Sequence, residues 1–444
     1  MTGASYPEAM TVGNERILVM SEQLAIHGGK PTVPAGMIKP WPQITEDDRQ
    51  AVMEVLAGEG INEQRRIQSE ELSAEWAAYM GRRHCIPTNS GTAALHMCVA
   101  ALGIEPGDEV ILPAFTFWAT AAAVLHHNAI PIFVDVNPRT FCIEPEQIES
   151  KISEKTKAIM PVHIHGMPAD MDAILEIARQ HDLKVIEDSS QAHGSRYKGR
   201  LCGAMGDVAG FSTQMSKTLT TGSEGGLFVT DDEIYHKQAG LLQYFGELVV
   251  PGRERQEQEY NAYGLGWMYR SDVFGQAFVR SQLKRLDANN VLRIRNCNFL
   301  TEHLSKIKGV ETPYVPPEYE TVYYNYVVGL EPEELGLTIS TKVLREKVQE
   351  AVKAEGVPVG QWQRVPVPAQ EIFQAQIGYG KGCPWTCNHG RLVEYRQEDY
   401  PNATAFIESH FYIFDVNPPN DLGLMKLYVE AFEKVMANVD KLTG

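Results

Sequence analysis

Val185-Ile-Glu-Asp-Ser-Ser-Gln-Ala-His-Gly194 is an apolar run that ends in two acids and then in polar residues. A short β-rich segment closed abruptly by carboxylates reads as a buried strand with an open carboxyl end. In open α/β sheets ligands bind beyond those ends, which puts Asp188 at the rim where chemistry is done. A carboxylate there can hold a pyridine nitrogen protonated, so that the ring draws electrons from a substrate carbon. Taken alone, Asp188 reads more readily as a solvated loop acid, since acids are mostly exposed.

Outward from this strand, β-rich runs at 109–112, 130–134, 157–162, 184–187, 208–212 and 227–230 alternate with helical patterns. That alternation predicts a mainly parallel sheet covered on both faces. A helix is expected from Thr45, a plausible N-cap followed by acids, and another over 69–80, stopped by Gly81. One long helical stretch over 272–308 closes the large domain at Gly309. A smaller α/β unit follows, with a strand at 322–329 and a helix over 340–354. The stretch 360–420, rich in Pro, Trp and Tyr, carries no clear pattern. The organisation expected is an extension over 1–24, a large domain over 25–309 and a small C-terminal domain over 310–444.

Composition narrows the partners. With 444 residues, 43% hydrophobic and 22% charged, the chain can bury a large core. Its net charge of −17 is spread without a basic stripe, which argues against nucleic acid. No apolar stretch approaches the ~20 residues needed to cross a bilayer. The first residues, with Glu8, Glu15 and Glu22, lack the basic start and apolar core of a signal peptide. Seven scattered cysteines suit a reducing cytoplasm better than a disulfide framework. Cys383, Cys387 and His389 have the wrong spacing for a zinc finger and read as loop residues, so no metal is expected.

Three further segments belong beside Asp188. In Thr88-Asn-Ser-Gly-Thr-Ala-Ala-Leu95 small residues lead into an apolar helix. Free N–H groups at such a start, with Gly91 permitting close approach, can receive a phosphate; an ordinary capped helix looks the same. Ala209-Gly-Phe-Ser-Thr-Gln-Met-Ser-Lys217 sets one lysine among small and hydroxyl residues, with Ser212 able to reach a phosphate. Most lysines are solvated charges, but one desolvated beside a bound aldehyde becomes a nucleophile. Pro113-Ala-Phe-Thr-Phe-Trp-Ala-Thr120 brings Phe117 and Trp118 to the same rim, as core or as stacking partners of a flat ring.

These four pieces, in this order, resemble the DegT/DnrJ/EryC1/StrS sugar aminotransferases, which have the fold type I architecture of pyridoxal 5′-phosphate (PLP) enzymes. The opening Leu24-Ala-Ile-His-Gly-Gly-Lys-Pro is similar to the branch of glutamine:scyllo-inosose aminotransferases and 3-amino-5-hydroxybenzoate synthases. The resemblance implies that Ser90, Gly91, Thr92 and Ser212 bind the cofactor phosphate and that Phe117 stacks on its ring. It further implies Asp188 at the pyridine nitrogen, Gln191 near the ring hydroxyl and Lys217 as the Schiff-base lysine. The function implied is amino transfer from glutamate or glutamine to a keto-sugar or keto-cyclitol, in a cytoplasmic homodimer with shared active sites. A sugar dehydratase of the same fold and a non-catalytic PLP-binding regulator are the alternatives. Lys217 weighs against the dehydratase, whose relatives usually carry His there.

Three departures stand out. Ser223 is an extra residue in Gly222-Ser-Glu-Gly-Gly. Met268 replaces the Asn that in the family precedes Tyr-Arg and reaches a neighbour's phosphate. Tyr324 stands where the family often has His.

Overall fold

The computed structural model describes residues 23–58, 60–247, 261–387 and 389–443. The expected extension over 1–24 therefore lies, up to residue 22, outside the described residues.

Seven strands form the main sheet: β1 (His84–Thr88), β2 (Glu109–Pro113), β3 (Ile130–Val134), β4 (Thr156–Ile159), β5 (Lys184–Asp188), β6 (Val208–Ser212) and β7 (Gly226–Thr230). Their order is β1-β7-β6-β5-β4-β2-β3. From β3 to β6 every neighbouring pair is parallel, and β7 is inserted antiparallel between β6 and β1. Both faces are covered, and β2, β3, β6 and β7 are buried along their whole length, which is why they read as continuous apolar runs. β1 was not anticipated. It contains Pro87 and lies at an edge, the place where a sheet tolerates a residue without an N–H.

A second, antiparallel sheet takes Val310–Glu311, Tyr326–Leu330, His410–Ile413 and Val359–Gly360 in that order. The helices Thr341–Ala354 and Leu422–Met436 pack their apolar faces on it through Leu344, Val348, Tyr428 and Phe432. Ser340 caps the first of these, its hydroxyl accepting from the Val343 N–H at 3.3 Å.

Several expectations need correction. The helix ending at Met80 begins at Ile61, not at residue 69. Its first turns are polar and are held by Arg66 pairing with Glu63 and Glu70, so they show no apolar period. The stretch 272–308 is two helices, Val273–Leu283 and Leu286–Leu304, broken at Arg285 (φ −114°, ψ 1°). The strand expected from 322 starts at Tyr326. The unassigned stretch contains the helix Pro401–Ser409, whose first N–H groups at Asn402 and Ala403 donate to the Asp135 carboxylate at 2.8 and 2.9 Å. Cys383 and Cys387 are joined as a disulfide, Cα atoms 5.2 Å apart, whereas loop thiols were expected. The other five cysteines are buried and free. Among the described residues no helix is long and apolar enough to cross a membrane, and no group of His, Cys, Asp and Glu could hold a metal ion.

Candidate active site

The carboxyl ends of β1, β2, β5 and β6 converge on one cavity of about 670 Å³. Its walls include all eight residues singled out from the sequence: Ser90, Gly91, Thr92, Phe117, Asp188, Gln191, Ser212 and Lys217. The small sheet closes the opposite side.

At one end β1 leads into the helix Gly91–Ala101. Ser90 caps this helix, its Oγ accepting from the Ala93 N–H at 3.1 Å. A methyl group on Gly91 would come within 2.5 Å of the Ser212 Cβ, so only glycine lets the helix start and the end of β6 approach this closely. The result is a cradle of free N–H groups and hydroxyls at the positive end of a helix.

In the centre Asp188 is buried at the end of β5. Thr120 Oγ1 donates to its Oδ2 at 2.7 Å, and the Ser190 N–H donates to Oδ1 at 3.1 Å. The neighbouring Glu187 points to the other face and is fully enclosed. Burial alone would raise its carboxyl, but His163 Nε2 at 3.0 Å and the N–H groups of Gly203, Met205 and Gly206 outweigh that and hold it below the usual range. Strand alternation therefore divides two adjacent acids into a structural one and one that faces the cavity. Gln191 is fixed by the His165 N–H, which donates to its Oε1 at 2.7 Å and leaves the amide NH₂ to act as a donor.

Lys217 lies on the turn after β6. Its carbonyl accepts from Trp41 Nε1 at 2.9 Å, and its Nζ sits 4.2 Å from the centroid of the Tyr324 ring, a cation–π contact. Tyr324 Oη and Ser216 Oγ are 3.0 Å apart. Ser223 is absorbed in a turn centred on Thr221, whose Oγ1 lies 3.0 Å from the carbonyl oxygens of both Thr213 and Glu224. The Met268 sulfur accepts from Arg270 Nε at 3.1 Å, and the Met268 carbonyl accepts from Asn89 Nδ2 at 3.0 Å.

Phe117 is 57% exposed and projects into the cavity, its ring centroid 6.0 Å from that of Trp362. Trp118, the other candidate for stacking, packs on Phe373 instead. Sequence reasoning missed Trp41, Thr120, Asn325, Trp362, Phe414, Asp415 and Asn417. Thr120 stood inside a quoted segment, one turn along the helix that Phe117 opens, and that spacing was the available signal. The others come from distant segments with no local mark.

The pattern of the DegT/DnrJ/EryC1/StrS aminotransferase family matches residues 42–389. The chain belongs to this family. An L-glutamine:scyllo-inosose aminotransferase of Streptomyces griseus is 36% identical over 326 residues, covering 72% of this chain and 76% of the relative. A GDP-perosamine synthase of Caulobacter vibrioides is also 36% identical, over 346 residues, covering 77% and 89%. Among solved structures, S. venezuelae DesV in complex with a ketimine intermediate superimposes with a TM-score of 0.73 at 28% identity, covering 88% of this chain and 94% of that one. The fold is that of the family's aminotransferases, and the chain is an aminotransferase.

Proposed function

We propose that this aminotransferase moves an amino group from glutamine or glutamate to a keto-sugar or keto-cyclitol, using PLP held in the cavity. The observation that carries this reading is the convergence of Lys217, Asp188 and the Gly91–Ser212 cradle on one cavity. A cradle that a single added methyl would fill suits a phosphate group, so the residues present fit the cofactor. When bound, PLP supplies an aldehyde that takes up the amine and a ring that spreads negative charge from the substrate carbon.

The chain's own residues do the rest. Ser90, Gly91, Thr92 and Ser212 bind the phosphate, and Phe117 lies against the ring. Gln191 donates to the ring hydroxyl. Asp188, oriented by Thr120 and the Ser190 N–H, keeps the pyridine nitrogen protonated. Lys217 would hold the cofactor through Nζ, and the same amine would take the proton from the donor's α-carbon as base and return it as acid. In the acceptor half the same amine works in the opposite direction.

The reading includes a cytoplasmic homodimer with cavities completed at the subunit boundary. Supporting this is the apolar surface of Leu265, Trp267 and Met268, exposed by 86%, 38% and 42%. The five free buried cysteines support a reducing compartment, with Cys383–Cys387 the one pair that departs from it. A large domain over 25–309 and a small one over 310–444 remain the proposed division.

The test is borohydride reduction of PLP-loaded enzyme followed by peptide mapping, then turnover on a panel of keto-sugars and keto-cyclitols that includes scyllo-inosose. The label is expected on Lys217, with glutamine or glutamate supporting amination. A label on any other lysine, or a labelled enzyme inert to every amino donor, would overturn the proposal.

A further inference from the structure

Asp415 follows the small-sheet strand His410–Ile413 and lines the same cavity as Lys217. Its backbone is left-handed, with φ 57°, a conformation that costs most residues energy and that Asp and Asn tolerate best. Three hydrogen bonds pin the chain on either side. The Phe414 N–H donates to the Pro358 carbonyl at 2.8 Å, Asn420 Nδ2 donates to the Asp415 carbonyl at 3.0 Å, and Asn296 Nδ2 donates to the Val416 carbonyl at 2.9 Å. The backbone is thus spent on structure while the side chain is left over.

That side chain is half-buried and makes no hydrogen bond or ion pair among the described residues; the Tyr428 phenol is near enough to feel its charge but donates no hydrogen bond. Burial pushes its carboxyl up from the usual range. A desolvated carboxylate without a partner is costly, and at the wall of a binding cavity the natural compensation is a ligand that donates hydrogen bonds. The aromatic residues Phe414, Trp362 and Tyr324 line the same cavity. Flat apolar faces next to an acceptor-only group match a ring with C–H faces and O–H edges. The remaining charged groups of the wall are Asp188 and Lys217, assigned above to the cofactor, and Glu224. Among the described residues no guanidinium lines the cavity to neutralise an anionic substituent.

We propose that Asp415 is the specificity residue for the amino acceptor: its carboxylate accepts hydrogen bonds from hydroxyls of a neutral polyhydroxylated cyclic ketone and disfavours acceptors carrying an anionic ester there. This rests on the aminotransferase reading above and names the acceptor class within it.

The test uses PLP-loaded full-length enzyme, with scyllo-inosose and its phosphate monoester as probes. Asp415→Asn keeps a residue suited to the left-handed backbone, so a melting curve close to wild type is expected. The KM for scyllo-inosose should rise by about tenfold, the order of a charged hydrogen bond, and by a larger factor than the KM for the amino donor. Wild-type enzyme should prefer the neutral probe over the phosphate, and the variant should narrow that preference. Equal kcat/KM for the two probes in wild type, a donor KM that shifts as much as the acceptor KM, or a labelled wild type that accepts neither probe would overturn the proposal. Failure of the broader reading has a different signature, the absence of the Lys217 label in wild type.

Discussion

Thr120 Oγ1 donates to Asp188 Oδ2 at 2.7 Å, tying the first turn of the helix Trp118–His126 to the end of the central strand β5. Thr116 Oγ1 stands 2.7 Å behind Thr120, so the hydroxyls form a short relay onto the carboxylate. Thr120→Val preserves the shape and removes the donor. Hydrogen bonds to charged groups are worth roughly 1.5–3 kcal/mol, so both half-reactions should slow by about tenfold or more while the cofactor still binds. Stopped-flow rates equal to wild type would show that Asp188 needs no orientation.

Gly91→Ala places a methyl 2.5 Å from the Ser212 Cβ and 2.9 Å from its Cα. Forced overpacking of this kind costs about 1–3 kcal/mol, and here it also fills the proposed phosphate cradle. Melting temperature and PLP affinity should fall together. Adding Ser212→Gly removes the nearer contact but not the Cα, so the double variant should recover part of the melting temperature. A fully stable Gly91→Ala enzyme with unchanged PLP affinity would argue against the cradle.

Lys217→Ala and Asp188→Asn should fail differently. The first removes a general acid–base catalyst worth typically ~10²–10⁴-fold, so both half-reactions should slow together and borohydride should fix no label. The second keeps the labelled lysine but weakens the hold on the pyridine proton. Peptide mapping alongside single-turnover spectra separates them.

Burial pushes the imidazoles of His96, His165 and His193 down to about 3. Unfolded, each would take a proton near its ordinary pKa of about 6.5. The folded value lies below the unfolded one, so the stability these residues contribute is present above about pH 6.5 and is lost as pH falls towards 3. Each contributes up to about 1.4 kcal/mol per pH unit across that window. Urea midpoints should therefore be lower at about pH 5 than at about pH 7. His96→Gln, which cannot titrate, should flatten the slope.

The cysteine pattern gives a chemical count. Cys85, Cys98, Cys142, Cys202 and Cys297 are buried and free, and Cys383 pairs with Cys387. Alkylation of native enzyme without reductant should be slow at all seven. Brief mild reduction should expose two sites, mapping to Cys383 and Cys387. Rapid alkylation of that pair without reductant would show thiols there instead.

The four segments legible from the start share a physical property: each carries its signal locally. An apolar run stopped by Asp188, a small-residue helix start at Gly91 and a lone lysine after a strand depend on chain neighbours that the sequence lists directly. Six of the seven main-sheet strands followed for the same reason, within a few residues; β1, with Pro87 inside it, did not. Strand direction did not, because a five-residue buried run such as Gly226–Thr230 looks the same whichever way it points. β7 is antiparallel only because its ladder partners on both sides make it so.

The sequence by itself determined that this chain makes a covered α/β sheet and brings an acid, a lysine and a glycine-led helix start to one rim. Tertiary structure alone decided that Thr120 sits on the Asp188 oxygen, that Glu187 beside it is enclosed on the other face, and that Trp41, Trp362 and Asp415 complete the wall. Those contacts join residues separated by tens to hundreds of positions, whose proximity is set by how the sheets pack and not by any local pattern. Cys383 and Cys387 stand four residues apart, yet their pairing was missed too, since spacing shows what can bond and only the loop's folded path brings the two sulfurs together.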